Sequence, residues 1–83
     1  MPDMFSAEEW TRLAERLELS PRQAQVARLI CRGHKSRELS QAIGIKPDTV
    51  RMHRRELFKK LKITDRVGVP VRLILAWRRG GKL

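Results

Sequence analysis

Apolar residues recur along this chain at intervals of three and four, and short breaks rich in Ser, Pro and Gly separate the runs. Trp10, Leu13, Ala14 and Leu17 follow Ser6 and Glu9, whose spacing is that of a capping box, so a first helix is predicted from about Ala7 to Glu18. Ser20-Pro21-Arg22-Gln23 repeats the start signal, with Ser20 as N-cap and Pro21 at the first helical position. Ala24, Val26, Ala27, Leu29, Ile30 and Cys31 continue that second helix, and Gly33 ends it. Ser36 is the expected cap of a short third helix carrying Leu39, Ala42 and Ile43, closed by Gly44. Ile45 and Lys46 make a tight turn. Pro47 opens a fourth helix that runs to about Leu61, with Asp48 set against the positive end of its dipole.

The alternation in Val67–Val71 is broken by Gly68 and Pro70, which argues against a strand. A last helix is expected from Pro70 to about Arg79, stopped by Gly80-Gly81. The pattern therefore predicts an all-α fold in one folded unit, with residues 1–18 as an extra helix packed on residues 19–83.

The fourth helix departs from an ordinary amphipathic pattern. Val50, Leu57 and Leu61 converge on one line at helical spacing, with Phe58 on its flank. Arg51, Arg55, Lys59 and Lys62 gather on another face, with Met52 at its edge. Six Lys or Arg side chains crowd into Arg51–Lys62, and Glu56 is the one acid among them to relieve their repulsion. A short helix, a glycine-containing turn and a longer basic helix make a helix-turn-helix pattern, in which the second helix enters the major groove. Arg51 and Arg55 are expected at guanine edges and Met52 at a thymine methyl. Lys59 and Lys62 are placed for backbone phosphates. Ser36 and Thr49 sit at helix starts, where hydroxyl and backbone N–H groups bind phosphate or simply cap. Lys46 opposes the helix dipole, which suits either a phosphate contact or an exposed, mobile amine.

Charge strengthens this reading. The chain of 83 residues has a formal net charge of +10, distributed unevenly. Residues 1–19 carry five acids against two bases, a net of −3, and residues 20–83 carry seventeen bases against four acids, a net of +13. Such a block calls for a polyanionic partner. One cysteine, Cys31, rules out an internal disulfide framework and fits a reducing cytoplasm. The acidic start has no apolar run of a signal peptide, and VGVPVRLILAW is too short to span a bilayer, so a cytoplasmic protein with no membrane contact is expected. There is no carboxylate pair, metal-ligand cluster or nucleophile–base constellation, so neither an enzyme nor a metal or other cofactor is expected.

The stretch from Leu19 to Arg66 resembles the LuxR/GerE-type helix-turn-helix domain of bacterial transcription regulators. Leu19-Ser20-Pro21-Arg22-Gln23, Gly33, Ser36-Arg37-Glu38-Leu39-Ser40, Ile43-Gly44-Ile45, Thr49-Val50-Arg51-Met52-His53 and Lys60-Leu61 match its motifs in order and spacing. The resemblance implies a four-helix unit whose third helix, here about 47–61, reads the major groove. It puts Arg51, Met52 and Arg55 at bases, Thr49 and the late lysines at phosphates, and Val50 in the core. Its last helix usually mediates dimerisation, but Gly68 and Pro70 interrupt that helix here. Lys46 stands where the family prefers a Ser or Thr cap, and Lys62 replaces a common glycine. No receiver or ligand-sensing domain is evident on this chain.

These observations predict a sequence-specific, double-stranded DNA-binding transcription regulator without its own sensor domain. A sigma region 4-like protein, or an adaptor using the same fold to contact RNA polymerase or another regulator, is the competing expectation. Trp10, Leu13 and Leu17 serve either the domain's own core or, with Leu73 and Trp77 of the last helix, a homodimer or partner surface. Periodicity fits both.

Overall fold

The computed structural model describes residues 4–79 of the chain, and within them five helices are joined by short turns: α1 Ala7–Arg16, α2 Pro21–Cys31, α3 Ser36–Ile43, α4 Pro47–Leu61 and α5 Gly68–Arg79. The Gly80-Gly81 stop signal lies outside these residues. Both predicted capping boxes form. Ser6 Oγ accepts from the Glu9 amide at 3.2 Å while the Ser6 amide donates to Glu9 Oε1 at 2.7 Å, and Ser20 and Gln23 reciprocate at 3.1 and 2.9 Å. Each box satisfies two amides that a helix start leaves unpaired.

Three boundaries differ from expectation. α1 ends at Arg16, two residues before Glu18, because Leu17 caps it and Glu18 takes a left-handed conformation at φ 56°. The Leu19 amide then reaches back to the Ala14 carbonyl at 2.8 Å, closing the turn. Ser36 is not the cap of α3. Lys35 occupies that position, its amide donating to Glu38 Oε1 at 2.8 Å, and Ser36 is the first helical residue. α5 starts at Gly68, not Pro70. Asp65 accepts the Gly68 amide through both its carboxylate and its carbonyl, each at 3.2 Å. Pro70 thus falls in the first turn, where a backbone nitrogen needs no acceptor within the helix and proline does no damage. Gly68 is also a close approach: a Cβ there would meet Ile63 Cβ and Cγ2 at 3.1 Å.

α2 is the hub, packing on each of the other four helices, while α1 lies against α2 and α5. The core is aliphatic in its centre, with Leu13, Val26, Ala27, Val50, Leu57, Leu61, Val69 and Leu73 fully excluded from water. At the α1–α5 end an aromatic group closes it. Phe5 meets Trp10 edge-on with centroids 5.3 Å apart and Trp77 at 5.7 Å. Trp10 and Leu13 therefore belong to the domain's own core. Trp10 Nε1 is buried without a hydrogen-bond partner.

α3 and α4 are joined by Gly44, at φ 77° in the left-handed region, and by extended Lys46. α4 ends on Lys62, which adopts φ 57° with the Ile63 amide donating to the Phe58 carbonyl at 3.0 Å. This conformation costs a β-carbon-bearing residue roughly 1–2 kcal/mol, which glycine avoids at an entropic cost of roughly 0.5–1 kcal/mol. Lys62→Gly is therefore expected to stabilise the domain by about 0.5–1 kcal/mol, read as a higher urea midpoint at unchanged slope. A lower midpoint would show that the Lys62 side chain contributes more than its backbone strain costs.

Candidate nucleic-acid interface

The rotation of α4 about its axis is set by its apolar stripe. Val50, Leu57 and Leu61 have no solvent exposure, and the helix packs on α2, α3 and α5. On the side turned from that stripe, Arg51, Arg55, Lys59 and Lys62 are all exposed, with Met52 among them at 47%. Like charges so close repel, and only the buried stripe and the surrounding helices hold them in register. Among the described residues no helix covers this face; α1, with its acids, makes no contact with α3 or α4.

Arg51 has a neighbour on its own helix. Its Nη2 lies 3.1 Å from Asp48 Oδ1, with the two side chains 65% and 90% exposed. An exposed pair of this kind contributes well under about 1 kcal/mol and is open to exchange with another partner. The guanidinium is accordingly oriented by Asp48 but neither buried nor covered.

The other two cations of α4 are committed to the fold. Arg54 turns inward, donating from Nη1 to Ser36 Oγ at 2.5 Å, with its guanidinium 5.3 Å from the centre of the Phe58 ring. It ties the start of α3 to the middle of α4, within cation–π range, although its Nε is buried without a partner. Lys60 Nζ donates to the Glu18 carbonyl, in the turn between α1 and α2. Sequence reasoning did not single out Arg54. A signal existed: Arg54, Phe58 and Leu61 fall at i, i+4 and i+7, along the edge of the core stripe.

Further cations act in the same structural way on main-chain oxygens. Arg72 Nε donates to the Leu61 carbonyl at 3.2 Å, Arg66 Nη2 to the His34 carbonyl at 3.0 Å, and Arg16 Nη1 to the Ala76 carbonyl at 3.4 Å. The first of these caps the C-terminal, electronegative end of α4. The positive block thus divides into cations that brace helix ends and cations that face outward.

The remaining predicted residues take these places. Lys46 is exposed at the N-cap of α4 without a side-chain capping bond, and Thr49 is half-buried in the first turn. Ser36 is half-buried, its hydroxyl accepting from Arg54. Of the two roles left open for the apolar residues of α1 and α5, the core role claims most of them. Trp10 is 5% exposed and Leu13 and Leu73 are fully buried, since all three fill the core, while Leu17 and Trp77 are half-buried beside it. An apolar stripe that does face outward runs from Val67, just ahead of α5, along that helix through Val71, Ile74 and Leu75, at 69%, 54%, 43% and 45% exposure. Cys31 is half-buried at the end of α2. Among the described residues no group of three or more His, Cys, Asp or Glu is placed to hold a metal ion, and no helix is long and apolar enough to cross a membrane.

A short helix, a tight turn and a longer helix with an outward cationic face define a helix-turn-helix module. The sequence model of the bacterial regulatory proteins of the luxR family matches residues 17–73, which include α2, α3, α4 and the first half of α5. The chain belongs to that family of DNA-binding helix-turn-helix transcription regulators. No curated protein and no solved structure matches the chain significantly.

The division of labour between adjacent arginines is open to test. Arg54→Ala is expected to cost about 1–2 kcal/mol of stability through the lost hydrogen bond and packing, whereas Arg55→Ala stays within about 0.5 kcal/mol. Chemical denaturation of the two variants measures both. Equal midpoints would mean that Arg54 is no brace.

Proposed function

We propose that this protein is a sequence-specific regulator that reads double-stranded DNA with α4 in the major groove. Arg51 and Arg55 address guanine edges and Met52 a thymine methyl. Lys59, Lys62 and Lys46 meet backbone phosphates with Thr49 and Ser36, whose hydroxyl accepts from Arg54 and keeps its own hydrogen to donate. The supporting observation is the single outward face on which Arg51, Arg55, Lys59 and Lys62 stand together, uncovered by any other helix among the described residues. Work on chromosomal DNA puts this activity in the bacterial cytoplasm.

With about 6–10 phosphates neutralised by two copies, affinity should fall roughly 10³–10⁵-fold between about 50 and 200 mM salt. Replacing Arg55 by Ala should cost about 1–3 kcal/mol on the preferred site and relax preference at one base position. Lys59→Ala should instead weaken binding to all duplexes alike and flatten the salt slope by about one contact. Fluorescence anisotropy on a selected site and a scrambled duplex separates the two patterns. Uniform weakening by Arg55→Ala would remove it from base readout.

The stripe of Val67, Val71, Ile74 and Leu75 supports a homodimer through α5, with the early start of that helix lengthening the face available. Exposed aliphatic groups at helical spacing gain by mutual burial. Sedimentation equilibrium should give a dimer mass that Val71→Glu reduces to a monomer with unchanged helicity. A parent chain monomeric at high concentration would favour the reading in which this stripe contacts RNA polymerase or another regulator.

A further inference from the structure

We infer that Asp48 is a specificity-determining residue of the DNA face, holding Arg51 for a guanine and itself selecting cytosine at the adjoining base pair. The inference rests on the DNA-reading role proposed above for α4.

The position of this acid is the unexpected fact. At about 100° per residue, Asp48 projects between Arg55 and Lys59, inside a face about 100° wide that also holds Arg51, Met52 and Lys62. It is 90% exposed and lies in the first turn, at the end of the helix that approaches base edges most closely. An acid there is repelled by the phosphates that its neighbours attract. Favouring the helix dipole does not require that position. The next residue, Thr49, is also in the first turn but lies off this face, and an acid there would serve the dipole away from the DNA. The other acid of α4, Glu56, sits further along the helix and outside the face.

The ion pair shows what the placement accomplishes. Arg51 Nη2 is drawn toward the N-terminal end of α4 by Asp48 Oδ1, 3.1 Å away. A guanidinium has five N–H donors. With one on Asp48, others remain for O6 and N7 of a guanine, so the pair biases the direction of the fork without consuming it. The carboxylate accepts only. In the major groove it is repelled by the oxygen and nitrogen acceptors of guanine and by O4 of thymine. Adenine presents an amino group between two acceptors, its own N7 and the O4 of its thymine, whereas the cytosine N4 amino group has an acceptor on one side only, the O6 of its guanine. A carboxylate therefore favours cytosine and disfavours the rest.

Selection from a random duplex pool with the parent chain, Asp48→Ala and Asp48→Asn tests this, with thermal melting of each protein alongside. The parent should enrich a site in which a cytosine adjoins the guanine assigned to Arg51. In Asp48→Ala that cytosine preference should fall about tenfold. In Asp48→Asn it should turn toward adenine, which an amide contacts through N6 and N7. Both variants should bind unrelated duplex more tightly than the parent, because an acid has left the face. If the variants enrich the parent's site unchanged and differ only in melting temperature, Asp48 is a helix-start residue and the inference fails. If the parent enriches no site at all, the DNA-reading role of α4 itself fails, a result distinguishable from the first.

Discussion

The insertion of one side of α4 into the core is the constraint on which this molecule turns. Val50, Leu57 and Leu61 are wholly shielded from water by α2, α3 and α5, and three such burials contribute several kcal/mol, on the order of 1.5–3 kcal/mol each. Repulsion among the exposed cations, partly screened by solvent, is much the smaller effect at ordinary ionic strength. The apolar stripe therefore wins, and the face opposite it stays charged and rigidly presented. A helix free to roll about its axis would scatter those charges.

Positive residues here act in two distinct ways, and the distinction follows from where main-chain carbonyls are left without partners. Helix ends and turns present such oxygens at Glu18, His34, Leu61 and Ala76, and each receives a Lys or Arg from a remote part of the chain. These contacts tie the α1–α2 turn to α4, α1 to α5, and α4 to α5, at points where aliphatic packing gives out. Net charge alone overstates what is available to a polyanion, since part of it is already neutralising the negative ends of helices.

Much of this was legible in the chain. The five helices, the two capping boxes and the orientation of α4 follow from apolar spacing and from start signals that have a local mechanism. What escaped was decided by contacts distant in sequence or by small balances at helix ends. The cap of α3 fell to Lys35 because Glu38 can satisfy an amide whatever side chain precedes it, and Ser36 was then recruited by Arg54. α5 began early because Asp65 supplied the start that Pro70 was expected to supply. α1 stopped short because Glu18 tolerates a left-handed conformation. The tryptophan and leucines read as a possible partner surface were needed to fill the core, and periodicity alone does not say which of two apolar faces on α5 turns inward. The base and phosphate roles proposed for individual residues rest on chemistry read in the sequence and, for Arg51, Met52, Arg55, Lys59, Lys62 and Lys46, on their exposure in the fold.

The aromatic contact between Phe5 and Trp77 has a consequence for architecture beyond the domain. Phe5 precedes α1 and Trp77 lies near the close of α5, yet their rings are 5.7 Å apart. The first and last described elements therefore meet at a single pole, on α1 and α5, which do not touch α3. Segments leading into Phe5 and away from Trp77 thus share one corner of the domain. Labels placed beside these two positions would report one location.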